Sequence, residues 1–391
     1  MNQSIQRSKR VLFLSWRDIK HPKKGGAEVY THEVLKRLVQ RGWNIEHYSV
    51  LFDDGVRFET IDGVEYHRGG SNATVILHAM AYYYKHANDI DLVVDQCNTH
   101  RFFSSLWIPK EKRIFFIHQL TREIWFQVMP GVKGYLGNIM ENVLLRLNKN
   151  DATITVSAST KCDLVNVGFS SDKVTIAPEG LFFAPWTQEQ FCAKESNTFL
   201  YAGRISPYKG IEVAIETIAA VKKSGKVVRL WIIGKGDDEY IQNRLLPLIR
   251  RLGLSYSEGL GDPRNKDIHF FGFVSSYDLK NLMSRSKALL FASQREGWGL
   301  TVSECAVVGT PSIVWPSPGL IDAVNFGQAG YLCAERNTKS MIEEVHRILD
   351  NPTEYDTIRQ QAYDFACTLS FDTSADVFEQ CFTKEIQASM N

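Results

Sequence analysis

Short apolar runs recur along this chain, and between them lie stretches whose apolar positions repeat every three or four residues. Residues 10–16 (RVLFLSW), 45–50, 92–95 (LVVD), 114–117 (IFFI) and 152–156 (ATITV) read as strands. Runs this continuously apolar suit strands buried on both faces. After Gly26 the chain keeps Tyr30, Val34 and Leu38 at a spacing of four and meets Gly42, which predicts a helix that ends there. Strands alternating with helices specify a parallel sheet covered on both sides. The rhythm loosens over residues 179–197, which read as a linker, and then restarts. Residues 198–202, 228–233, 268–271, 288–293 (ALLFAS), 312–314 and 330–333 are further strands. Ile211, Ala214, Ile215 and Ile218 mark one helix face, and residues 238–252 another helix. Residues 255–267 read as a polar, glycine-containing loop. The expected class is α/β, with two doubly wound Rossmann-like domains facing each other across a cleft, where ligands of such folds bind. A chain of 391 residues is long enough for two cores.

Composition narrows the partners. Formal net charge is +1, which gives no electrostatic basis for binding nucleic acid. The seven cysteines are scattered, odd in number and form no C-x-x-C pair, as expected in a reducing, cytoplasmic compartment. The apolar run at residues 11–16 is too short for a signal-peptide core, and no run approaches the roughly 20 residues that span a bilayer. Peripheral attachment to the inner membrane face stays open, and no protein partner is evident.

The chemistry concentrates in residues 295–314 (REGWGLTVSECAVVGTPSIV). A buried strand leads into Gly297 and Gly299, and a short helix is expected from Thr301 to Gly309. Strand, glycine turn and helix N-terminus make a place to hold an anion. Glu296 and Glu304 flank it, and carboxylates beside a phosphate cradle suit hydroxyl groups instead, as with ribose in dinucleotide folds. The bland alternative is that Thr301 and Glu304 form a capping box and Glu296 is a solvated loop acid. Directly after the first strand of the second half stands Gly203-Arg204-Ile-Ser-Pro-Tyr-Lys209-Gly210. Arg204 and Lys209 in one βα loop suit a diphosphate leaving group, although a lone pair of cations is as often a solvated loop. Gly25 and Gly26 follow the first strand, and paired glycines let backbone N–H groups approach a phosphate or sugar; a plain tight turn is the alternative. His118 ends a strand, where an ordinary structural histidine is the usual case.

Glu296-Gly-Trp-Gly-Leu-Thr-Val-Ser-Glu304 resembles the glutamate-seven-residues-glutamate pattern of the retaining glycosyltransferases of family 4 (glycosyl transferases group 1), which have the GT-B fold. The Gly203 to Gly210 element, the Gly25-Gly26-Ala27-Glu28 loop and His118 resemble further motifs of that family in the same order. The likeness covers roughly residues 10–351. It implies Arg204 and Lys209 on the donor diphosphate, Glu304 on ribose, Glu296 on the sugar, and His118 in the active site near the donor sugar. Gly25, Gly26, Gly203, Gly297, Trp298, Gly299, Leu300 and Thr301 would complete the donor site. Trp298 stands where the family often has Phe. Residues 318–322 (PGLID) replace a common Gly-Gly-x-Pro-Glu type segment, so sugar identity is blurred, with Gly319 and Leu320 still able to offer backbone N–H groups.

The resemblance and the stripe of Val377, Phe378, Cys381 and Phe382 together predict that the last helix crosses back to the first domain. The expected division is therefore 1–185 plus 371–391, against 186–370. Gly234-Lys-Gly236 lacks the third glycine of a dinucleotide fingerprint, which disfavours an oxidoreductase. Asp89-Ile90-Asp91 precedes its strand and reads as a turn. With two cations at the diphosphate, neither metal nor cofactor is required. The expected function is transfer of a sugar from a nucleoside diphosphate sugar to a carbohydrate or glycoconjugate hydroxyl. An epimerase or phosphorylase of the same fold, or a non-catalytic sugar-nucleotide-binding protein, are the alternatives.

Overall fold

The computed structural model describes residues 8–98, 100–129, 131–259 and 262–390. The chain divides into two units: residues 1–122, 136–180 and 370–391 form the first, and residues 123–135 and 181–369 the second.

The first unit is built on an eight-stranded sheet. Its strands are β1 (Arg10–Leu14), β2 (Asn44–Ser49), β3 (Phe58–Ile61), β4 (Val64–Arg68), β5 (Leu92–Cys97), β6 (Arg113–Ile117), β7 (Ala152–Thr155) and β8 (Val174–Ile176). Their order is β3-β4-β2-β1-β5-β6-β7-β8, and every pairing is parallel except the β3–β4 hairpin. Val11, Leu12, Phe13 and Leu14 are fully buried, as continuous apolar strands in a doubly covered sheet should be. The order reverses between β1 and β5, so the loops after these two strands part there and leave a crevice at the carboxyl end of the sheet. The hairpin strands and β8 are not visible as apolar runs, because edge strands have less to bury.

The helix Phe371–Met390 completes this unit. Phe371, Ala375, Phe378, Phe382 and Ile386 are its buried apolar positions. Phe378 lies 5.1 Å from Phe116 and 6.2 Å from Phe13, ring centre to ring centre, and Phe382 lies 5.5 Å from Trp43. Arg41 pairs with Asp376 and Glu379 along the helix flank, and Trp43 donates its indole N–H to Glu379 at 3.0 Å.

The second unit carries a fully parallel seven-stranded sheet. Its strands are β9 (Thr198–Ala202), β10 (Arg229–Ile233), β11 (Tyr256–Glu258), β12 (Ile268–Gly272), β13 (Leu289–Phe291), β14 (Ser312–Val314) and β15 (Tyr331–Leu332), in the order β11-β12-β10-β9-β13-β14-β15. Here the order reverses between β9 and β13. Residues 256–258, expected as loop, form the edge strand β11, paired with Ile268 to Phe270. A three-residue edge strand has no apolar run to announce it.

Two boundaries differ from those the sequence predicts. Residues 123–135 go with the second unit, where the Glu123 carboxylate accepts from the buried Arg295 at 3.1 Å and from Arg336 at 3.4 Å. An arginine this buried requires a counter-charge. Residues 181–197 are also part of the second unit and not a free linker. Leu181, Phe183 and Trp186 pack on its core, and the half-buried Lys194 donates to the Ser284 and Gly309 carbonyls and to Thr310 Oγ1. Burial holds the Lys194 ammonium well below its ordinary range.

Candidate active site

In the second unit, two loops meet at the carboxyl end of the sheet, at the reversal between β9 and β13. The loop after β9 carries Gly203, Arg204 and Lys209; the loop after β13 carries Glu296, Gly297, Trp298 and Gly299. They are tied together by the Gln294 N–H, which donates to the Tyr208 carbonyl at 2.9 Å. Lys209 Nζ then reaches Glu296 Oε1 at 2.5 Å, both side chains being mostly buried. Tyr201 Oη donates to the Arg204 carbonyl at 2.9 Å and fixes the start of the first loop. Arg204 itself is exposed and forms no ion pair among the described residues. The fold therefore sets one cation firmly in place beside a carboxylate and leaves a second one free to turn toward an anion.

A third loop closes on these two. The Glu296 N–H donates to the Pro318 carbonyl at 3.1 Å. Gly319 lies so near that a Cβ there would meet the Glu296 carbonyl oxygen at 2.4 Å, with φ at +79° besides. Only glycine fits. The Leu320 amide, expected to be available to a ligand, donates instead to the Ser317 carbonyl at 3.1 Å. The turn that brings Gly319 against Glu296 consumes it.

Helix Leu300–Ala306 begins one residue earlier and ends sooner than its sequence suggests, with Gly299 as N-cap at φ +109°. A glycine cap has no side chain, so Thr301 and Glu304 form no capping box. The Glu304 carboxylate accepts no hydrogen bond among the described residues. The residue keeps some exposed surface, yet protein atoms crowd around its carboxyl group. That burial alone pushes its pKa up to about 7. An unpartnered carboxylate in such a place suits a ligand that brings hydroxyl donors. Trp298 is turned inward: it is 7% exposed and its indole N–H donates to Ser303 Oγ at 3.0 Å. Its side chain belongs to the core, which leaves only its backbone to face a ligand.

Glu304 makes a pH dependence explicit. Its folded pKa of about 7 stands above the ordinary 4.5. Between those values the folded chain holds a proton that the unfolded chain has lost. The resulting contribution to stability is whole below pH 4.5 and gone above pH 7. A hydroxyl-bearing ligand such as a ribose would donate to the ionised form, so if Glu304 holds a nucleotide its affinity is expected to weaken as pH falls through 7. In Glu304→Gln the affinity should be weaker and this limb of the profile flat. Calorimetric titration across pH checks it, and an unchanged profile in the variant would remove Glu304 from the nucleotide site.

In the first unit, Gly25 and Gly26 begin helix Gly26–Gln40 beside the reversal between β1 and β5. The Gly25 amide does not face outward as expected. It donates to Glu28 Oε2 at 2.6 Å, because the buried Glu28 folds back over the helix start. Asn98, just after β5, donates to the other oxygen of Glu28 at 2.9 Å, and Arg17 lies 3.3 Å from it. The first-turn amides from Gly26 onward remain for a ligand.

His118 follows β6 and is 7% exposed. Gln96 donates to its Nε2 at 3.3 Å, which places the ring proton on Nδ1, 3.5 Å from Glu179 Oε1. The Tyr30 ring meets the imidazole edge to face at 5.1 Å. Burial raises the Glu179 carboxyl above its ordinary range, with His118 opposing the rise. Gln96 and Glu179 are partners the sequence does not reveal: they stand 22 positions before and 61 after His118, and only the strand order joins them. Among the described residues, the one group able to offer three clustered metal ligands is Glu46, Glu65 and His67. Glu46 there already accepts from Arg10 and from Tyr82, and the group lies on β2 and β4, away from the residues above.

Comparison with known proteins places this arrangement in context. Residues 184–365 match the family described as glycosyl transferases group 1, and residues 24–181 match glycosyltransferase family 4. Glycogen synthase of Mycobacterium tuberculosis is 28% identical over 218 residues, which is 54% of this chain and 48% of that protein. The chain spans about half the length of these curated relatives. Among solved structures, sucrose-phosphate synthase from Thermosynechococcus elongatus superposes with a TM-score of 0.73 at 17% identity, covering 97% of this chain and all of that one. HepE of Anabaena, solved with UDP-glucose, superposes at 0.69 and 16% identity over 96% of this chain and 99% of its own. These likenesses show the fold, two Rossmann-like units of the GT-B type.

Proposed function

The chain belongs to the group 1 glycosyltransferases, and from that premise we propose that it moves a sugar from a nucleoside diphosphate sugar to an acceptor hydroxyl in glycan or glycoconjugate synthesis. It does so with retention at the anomeric carbon, without metal or cofactor. The observation that carries this reading is the pairing of Lys209 with Glu296 at the reversal of the second sheet, in the same motif as an unpartnered, part-buried Glu304. Arg204 and Lys209 take the diphosphate, Glu296 accepts from sugar hydroxyls while holding Lys209 in place, and Glu304 accepts from the ribose. As the bond from the anomeric carbon to the β-phosphate oxygen breaks, negative charge gathers on that oxygen beside the fixed Lys209 ammonium and the mobile Arg204 guanidinium. The acceptor oxygen bonds to the anomeric carbon on the same face, and its proton passes to the departing phosphate. His118, held by Gln96 and Glu179 at the carboxyl end of β6, is the first unit's candidate for contact with a sugar. The seven free cysteines fit a reducing, cytoplasmic setting.

Proton NMR of the first product tests the stereochemistry and EDTA the metal. The expected product keeps the donor's anomeric configuration, with the rate unchanged in excess chelator. An inverted product, or a rate lost to EDTA and restored by Mg²⁺ or Mn²⁺, would reject the respective part.

A further inference from the structure

The helix Val132–Leu145 buries Leu145 but bares most of its other large apolar side chains. Leu136, Ile139, Met140 and Val143 are between 41% and 53% exposed, and Val132 and Leu147 extend the same stripe at 75% and 42%. At 3.6 residues per turn these six side chains fall within an arc of about 100°. The opposite face, toward the protein, carries the fully buried Leu145 and, beside it, polar groups. Glu141 accepts from the Thr121 and Arg122 amides at 2.6 and 2.8 Å, and Asn142 donates to the Asn138 carbonyl at 3.2 Å. A surface helix normally shows the reverse arrangement, and an apolar stripe of this length marks an interaction surface.

Charge decides what it meets. Lys133 and Arg146 are exposed and fall just outside the two edges of the stripe, and Lys149 is exposed one turn further on. The helix has one acid, Glu141, and its carboxylate is bound to backbone amides on the inner side. A second copy docked face to face would set these cations against one another with no acid of the helix to answer them. A lipid surface with anionic headgroups satisfies both features at once: the stripe enters the acyl boundary and the flanking cations meet the headgroups. No helix among the described residues is long and apolar enough to cross a membrane. We propose that helix Val132–Leu145 lies in the interface of an anionic membrane and holds the enzyme on it.

Sedimentation of the full chain with vesicles tests this. Wild type is expected to bind vesicles of phosphatidylcholine mixed with phosphatidylglycerol and to bind pure phosphatidylcholine much more weakly. The triple variant Leu136→Ser, Ile139→Ser, Val143→Ser should bind the mixed vesicles about a hundredfold less well, since three apolar side chains leave the acyl boundary. Lys133→Glu with Arg146→Glu should erase the preference for anionic vesicles. Both variants alter exposed side chains, so their melting temperatures should match wild type, and the charge variant tests the proposal even if the triple variant folds poorly. Equal vesicle binding by wild type and variants, no binding by wild type, or a dimer in sedimentation velocity that the triple variant dissolves would each overturn it.

Discussion

Replacing Lys209 by alanine is expected to lower kcat by two to three orders of magnitude, about 3 kcal/mol of lost transition-state stabilisation. The side chain is 18% exposed and sits 2.5 Å from Glu296, so it enters the reaction already oriented and little water has to be displaced. On the proposed assignment its removal withdraws a fixed cation from the departing diphosphate, and it leaves the Glu296 carboxylate, 14% exposed, without its partner. Arg204→Ala should be milder in kcat and stronger in KM, because that side chain is exposed and free to move. The double variant Lys209→Ala, Glu296→Gln separates the two consequences, since residues in contact couple. If Lys209 acts only to neutralise Glu296, the double variant recovers most of the lost rate; a role on the leaving group leaves it slow. Steady-state kinetics on protein of unchanged melting temperature makes the comparison.

Phe378→Ala should destabilise the first unit by about 4 kcal/mol, the range seen for large core aromatics. The ring is 1% exposed and touches Phe13 of the central strand, Tyr30 of the first helix, Phe116 of β6 and Phe382 of its own helix. Strands β1 and β6 and helix Gly26–Gln40 thus share one side chain from the end of the chain. Phe326→Ala, at a residue 61% exposed, is the control and should change little. Urea unfolding followed by fluorescence would show a transition assigned to the first unit shifted to lower urea. A shift no larger than the control's would mean that the last helix adds little to that core.

Much of this was legible because strong local signals coincide with function. Continuous apolar runs found the central strands of both sheets, and glycines after β1, β9 and β13 pointed to the loops at each reversal of strand order. What was hidden depends on contacts between distant segments. Nothing near Glu123 marks it as the counter-ion of Arg295, and nothing near Glu179 marks it as the neighbour of His118. The short edge strand β11 bears no apolar run. The role of Glu304 turned on one backbone detail: with Gly299 as N-cap, the helix start has no side chain to form a capping box, and the carboxylate is released from that duty. Conversely, Gly25 looked like an open amide and is closed by Glu28. The helix Val132–Leu145 shows an ordinary period in sequence, which cannot say that most of its apolar side chains face outward.

On the proposed reading, Lys209, Arg204 and Glu304 form a nucleoside diphosphate site in the second unit. Thermal melting of wild type with UDP, GDP, ADP and dTDP addresses it directly, because a ligand that binds only the native state raises the melting temperature. At least one of the four is expected to raise it. The shift is expected to be much reduced in Lys209→Ala and Glu304→Gln. No shift with any of the four, or the same shift in wild type and both variants, would contradict this reading.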